Sequence, residues 1–126
     1  MMAEYYALSH CMREVLPLRE LTKGVARGLG IAEDVVTDFK TTVWEDNNGA
    51  LSLANLEPGH HTPRSKFYDC KVHWFRSHIT REDSPSNPDD GIFVRKIATK
   101  AQIADLFTKP LPKDVFERLR KMMIGW

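Results

Sequence analysis

Thr99-Lys100-Ala101-Gln102-Ile103-Ala104-Asp105-Leu106-Phe107-Thr108-Lys109-Pro110-Leu111-Pro112 is the stretch on which the reading of this chain turns. Thr99 and Gln102 stand at capping-box spacing, so a helix is expected over 100–108. Pro110 and Pro112 interrupt it, because proline has no backbone donor to continue the ladder. Lys113 to Ile124 then places Phe116, Leu119 and Met123 on one side, which predicts a closing helix over 113–124. Upstream, 91–98 is rich in Ile, Phe and Val and alternates in part, as a strand does. Asp105 therefore lies in the helix that follows a strand.

Farther out, Tyr68, Val72, Phe75 and Ile79 recur at helical spacing and predict an amphipathic helix over 64–80. Between that helix and the strand, 81–91 holds Pro85, Asn87, Pro88 and several acidic residues, the composition of a loop. The β-branched and aromatic run Thr41-Thr42-Val43-Trp44 predicts a strand over 40–45. A helix over 47–56 should follow, stopped by Glu57-Pro58-Gly59. At the front, Leu8, Met12, Val15 and Leu16 or Leu18 mark an apolar face of a helix over 3–23, with a kink or break expected at Pro17. Gly24, Gly28 and Gly30 end it. No internal repeat is evident. The order is helix, strand, helix, helix, strand, helix, helix, a mixed α/β (α+β) class. Two strands make a poor sheet alone, so further strands are expected beside them.

Composition sets limits on the partners. Hydrophobic residues make up 42% and charged residues 28% of 126, ordinary for a single soluble domain. A formal net charge of +1 gives no global pull towards nucleic acid or membrane, so any nucleic-acid footprint must be local. No apolar run approaches the roughly 18–20 residues of a membrane span. The first residues lack the basic start and apolar stretch of a signal peptide. Two cysteines, Cys11 and Cys70, are too few for a disulfide framework and read as reduced core thiols of an intracellular protein.

Three carboxylates stand at element ends: Glu4 in the first helix, Asp46 after the first strand, and Asp105 after the second. Each has an ordinary alternative. An acidic first turn suits the helix dipole, Asp46 could cap the next helix, and Asp105 could be a solvated helix residue. Spacing alone leaves both readings standing.

The local strings add a resemblance. Ala3-Glu4-Tyr5-Tyr6-Ala7-Leu8-Ser9 with Arg13-Glu14-Val15-Leu16 and Leu18-Arg19-Glu20-Leu21 looks like the first helix of copia-type retrotransposon ribonuclease H. Glu45-Asp46-Asn47-Asn48-Gly49-Ala50-Leu51 is similar to that family's Asp-Asn-Gln-Ser-Ala segment. Pro63-Arg64-Ser65-Lys66, with Asp69, His73, Phe75 and Arg76, resembles its Arg-Ser-Lys helix. Thr99 to Pro112 resembles its closing motif almost residue for residue, and Phe116-Glu117-Arg118-Leu119-Arg120 continues it. The strings span nearly the whole chain in the family's order. The departures are Pro17 in a regular helix, Gly49 for a small hydroxyl residue, and Phe67 for a usual histidine.

The resemblance implies the C-terminal part of a ribonuclease H-like fold, with two strands of its mixed sheet and flanking helices. It implies that Glu4, Asp46 and Asp105 are catalytic metal ligands for Mg²⁺ or Mn²⁺, hard ions that favour oxygen. In the intact family two ions about 3.5–4 Å apart serve hydrolysis of the RNA strand of an RNA–DNA hybrid. The family's remaining ligand, an Asp on its opening strand, has no counterpart in this sequence. The chain by itself is therefore expected to be inactive or nearly so, as a piece of a Pol polyprotein beside its reverse transcriptase portion. Its setting would be a cytoplasmic particle or the nucleus. A strand edge left open beside 40–45 should favour self-association.

Substrate contact is expected from Arg64, Lys66, Lys71, Arg76 and Arg81, which face one acidic residue, Asp69, between His60 and Arg81. The other reading of that run is a solvated helix face. A non-catalytic nucleic-acid-binding remnant working through 64–81 is the alternative function. Trp44 and Trp74 could stack on bases, although burial is the ordinary fate of both. His60, His61, Cys70 and His73 fit no common zinc spacing.

Overall fold

A computed structural model describes residues 2–63, 65, 70–81 and 91–126, without the Cys70 side chain. Helix α1, Met2–Gly28, is continuous through Pro17. The expected break does not occur. Pro17 is exposed, so the carbonyl it leaves without a donor can turn to water, and the helix beyond it is pinned by a side chain. That side chain is Arg19, only 4% exposed, whose Nη1 donates to Thr41 Oγ1 at 2.6 Å and to the Phe39 carbonyl at 3.0 Å. The glycines at 24 and 28 fall within α1, and Gly30, at φ 77°, turns the chain. A short helix α2, Glu33–Thr37, follows it.

Strand β1, Thr41–Glu45, pairs in parallel with β2, Ile92–Lys96, in the register Thr41 with Ile92 through Glu45 with Lys96. A parallel pair needs a long crossover, and residues 46–91 supply it. Its first element is α3, Asn48–Ala54. The cap of α3 is Asn47, whose Oδ1 accepts from the Gly49 and Ala50 amides at 2.9 and 3.1 Å. Asp46, the cap expected from one reading of the sequence, is relieved of that task.

The single helix expected over 64–80 differs from what is seen. Among the described residues there are two 3₁₀ turns, Cys70–Val72 and Trp74–His78. Residues 64 and 66–69 lie outside the description, with Tyr68 of the apolar stripe, and so does the expected loop at 82–90. Val72, Phe75 and Ile79 are nonetheless buried as the stripe requires. A 3₁₀ turn of three residues keeps positions three apart on one side, which suits 72 and 75 as well as an α-helix does.

The capping box at Thr99 also fails to form. Thr99–Ala101 is one 3₁₀ turn with no side-chain cap, because the Gln102 amide reaches across to the Trp44 carbonyl of β1 at 3.4 Å. The helix expected over 100–108 shortens to α4, Asp105–Thr108. Helix α5, Lys113–Ile124, has the bounds read from sequence, and Gly125 at φ 80° closes it in the left-handed conformation. It anchors through Leu119, 1% exposed, and through Arg118 Nη2 donating to the Lys100 carbonyl at 2.6 Å.

One hydrophobic core joins these elements. Tyr5, Leu8 and Met12 of α1 meet Ala50, Leu53 and Ala54 of α3, Val72, Phe75 and Ile79 of the 3₁₀ turns, and Ile92 and Val94 of β2. The chain is thus α/β, with a parallel two-stranded sheet flanked by helices. Among the described residues, no helix is long and apolar enough to cross a membrane.

Candidate functional site

The N-terminal turn of α1, the end of β1 and the start of α4 meet at one cleft of about 570 Å³. Glu4, Asp46 and Asp105 all line it. They come from places in the chain roughly 42 and 59 residues apart, so local sequence did not bring them together; the parallel pairing and the packing of α1 did. Glu4 is partly exposed on the first turn of α1, Asp46 is partly exposed just past β1, and Asp105 is buried at the first turn of α4.

Two further ionisable groups share the cleft. Glu45 is 8% exposed on the inward face of β1, and its Oε1 accepts from the Asn47 amide at 2.8 Å. Burial pushes its carboxyl up, the Asn47 bond opposes this, and the nearby charges of Asp46 and Glu4 add to the rise. Lys109 reaches in from the end of α4, its Nζ 2.9 Å from Asp105 Oδ1. That contact comes first in raising the Lys109 ammonium above its ordinary value, and the charges of Asp105, Asp46 and Glu4 add to it. Neither group was foreseen. The signals were there: Glu45 follows Val43 on the same strand face, and Lys109 stands four residues after Asp105, the spacing of a helical ion pair.

Carboxylate oxygens are the right donors for Mg²⁺ or Mn²⁺. The arrangement nevertheless does not fit a bound ion. Among the described residues, no three His, Cys, Asp or Glu side chains stand close enough together to hold a metal. The charge of the cleft is answered by Lys109.

Cys11 lines the same cleft and is exposed, contrary to the core position expected of it. Partial desolvation in the cleft wall, and then the charge of Glu45, push its thiol up. Trp44 is also there and is 50% exposed, where burial was expected, because even positions of β1 face outward. Trp74 is partly buried, its Nε1 donating to Ser9 Oγ at 3.1 Å.

The five basic residues of 64–81 have separate fates. Arg64 and Lys66 lie outside the described residues, and Lys71 is exposed. Arg76 is 1% exposed and turned inward, donating from Nε to Tyr5 Oη at 2.9 Å and from Nη1 to the His60 carbonyl at 2.7 Å. Arg81 donates from Nε to the Asn55 carbonyl at 3.0 Å and from Nη2 to the Leu56 and Arg76 carbonyls at 2.8 and 2.9 Å. Both guanidinium groups bind the chain's own backbone. His73 shares that network: its Nδ1 is 2.8 Å from Tyr5 Oη and 2.6 Å from Arg76 Nη2. Burial, then Arg76 and His61, push its imidazole down to about 4.

No protein-family model matches the chain, and no solved structure does. A curated protein does. The chain is 29% identical, over 98% of its own length, to a segment making up 8% of the retrovirus-related Pol polyprotein from transposon TNT 1-94 of Nicotiana tabacum. What this chain is similar to is a short stretch of a retrotransposon Pol polyprotein.

Proposed function

We propose that this chain is part of the ribonuclease H portion of a retrotransposon Pol polyprotein, whose substrate is an RNA–DNA hybrid made during reverse transcription. The observation that carries the reading is the meeting of Glu4, Asp46 and Asp105 in one cleft. Those are the positions that the resemblance to copia-type ribonuclease H marks out, and they lie in separate strings of the sequence. The similarity to a Pol polyprotein segment supports the same source. The partner in that setting is the reverse transcriptase portion of the polyprotein.

The residues present divide the work. Asp46 and Asp105 are held by the end of β1 and the start of α4, so their carboxylates project from fixed backbone. Cations at the rim, among them Lys71 and Lys100, would meet the phosphates, a contact that fixes position without reading sequence. Because the described carboxylates do not close on an ion, the chain by itself should bind a hybrid without cutting it.

Fluorescence anisotropy with a labelled RNA–DNA hybrid tests this. Binding should fall steeply with salt, should exceed binding to duplex DNA of the same sequence, and should weaken in Lys71→Glu. No binding at low salt would contradict the reading. The coding frame upstream of Met1 offers a check without protein: a β-strand pattern carrying an Asp is expected there.

A further inference from the structure

Lys109 is the one cationic side chain among the described residues that line the carboxylate cleft. It is set there by its neighbours. The turn of α4 brings position 109 over position 105, and Lys109 itself takes an extended conformation (φ −130°, ψ 140°) just before Pro110. Its ammonium stands 2.9 Å from an Asp105 carboxylate that is 11% exposed, while the lysine side chain is 49% exposed. Asp46 and Glu4 act on the same ammonium through their charge. Acidic groups from three elements thus share one tethered cation.

We infer that Lys109 is the built-in counter-ion of the cleft, placed against the oxygen a divalent cation would need, so that a metal enters only as Lys109 swings out. The inference rests on the ribonuclease reading for the class of ion and on geometry for the competition. A carboxylate oxygen that accepts from the ammonium at 2.9 Å is not offering that lone pair to a metal. The exposed stem of Lys109 makes the swing inexpensive, since a partly exposed pair is weakly held. Its absence would leave Asp105, Asp46 and Glu4 facing each other, which favours any cation that arrives. In the proposed setting, a phosphate backbone in the cleft would give the displaced ammonium a new anion, so nucleic acid and metal would each assist the other's binding.

Mn²⁺ alone is the probe, titrated into the chain by electron paramagnetic resonance with thermal melts alongside. Lys109→Met should bind Mn²⁺ at least about threefold more tightly than the parent, in keeping with loss of one partly exposed competing pair. Its melting temperature without metal should drop and be restored by Mn²⁺. Lys109→Arg, which keeps the charge, should behave as the parent. Asp105→Asn added to Lys109→Met should erase the gain. Equal Mn²⁺ affinity in the parent and in Lys109→Met, with both folded, would overturn the counter-ion role even if hybrid binding is intact. A tighter Mn²⁺ site in a chain that ignores hybrids would uphold Lys109 and overturn the ribonuclease reading instead.

Discussion

Arg19 Nη1 donates to Thr41 Oγ1 at 2.6 Å, tying the second half of α1 to the first residue of β1. The same guanidinium reaches the Phe39 carbonyl at 3.0 Å and the Gly91 carbonyl at 3.4 Å, and lies 5.5 Å from the centre of the Phe39 ring. It therefore clamps α1 to the points where both strands begin. Arg19→Met keeps the apolar stem but deserts these oxygens, and should cost about 2–3 kcal/mol in urea unfolding. Thr41→Val removes one neutral partner and should cost about 1 kcal/mol. The double variant should cost less than the sum, because both remove the same bond.

His73 gives the fold a dependence on acidity. Its imidazole is pushed down to about 4 in the folded chain, below the ordinary value of 6.5. A depressed folded value means that the unfolded chain binds the proton more readily. The stability tied to neutral His73 is present above pH 6.5 and is lost as pH falls towards 4. The loss should be about 1–3 kcal/mol. Urea midpoints at pH 7 and pH 4.5 measure it, and His73→Gln should flatten the difference.

Glu45 should work in the opposite sense. Its folded carboxyl is raised, chiefly by burial, so its ionised form costs stability at neutral pH and the cost disappears as pH falls. Glu45→Gln keeps an acceptor for the Asn47 amide. It should leave stability at pH 7 unchanged or raise it by about 0.5–1 kcal/mol. It should also speed alkylation of Cys11 by iodoacetamide at fixed pH, since one of the charges that hold the thiol protonated is gone.

Much of the architecture was legible in residue patterns, and the failures have physical causes. The α5 bounds emerged because Pro112 and Gly125 punctuate an amphipathic run. Both strands were placed within two residues at each end, since β-branched and aromatic runs between turn signals have few other uses. Pro17 misled because local sterics were weighed without tertiary anchoring. The anchor itself carried a signal: Leu8, Met12, Val15 and Arg19 follow helical spacing, so a guanidinium sat on the apolar stripe and had to find buried acceptors. Arg76 repeats the lesson, beside Val72, Phe75 and Ile79. A basic residue within a buried stripe serves the fold before it serves a phosphate. The cleft was only half legible. Sequence strings marked its carboxylates, but that Lys109 and Glu45 share it depends on how β1 and α4 approach, which no local pattern encodes.

The β1 strand makes a separate prediction about association. Among the described residues it pairs only with β2, so its other edge has unpaired donors and acceptors beside the exposed Trp44. The chain should elute with rising apparent mass as concentration increases in size-exclusion chromatography, and Thr42→Pro should abolish the rise. A monomer at every concentration would contradict it.

Cleavage of an RNA-labelled RNA–DNA hybrid in Mg²⁺, by the chain alone and by the chain extended with the polypeptide encoded upstream, tests the ribonuclease reading most directly. The chain alone should leave the RNA intact; the extended protein should cut it; Asp46→Asn and Asp105→Asn should each reduce the cutting by a hundredfold or more, on the order expected for loss of a group acting at the transition state. Cutting that survives both substitutions, or an extended protein that binds hybrid and never cuts, would contradict it.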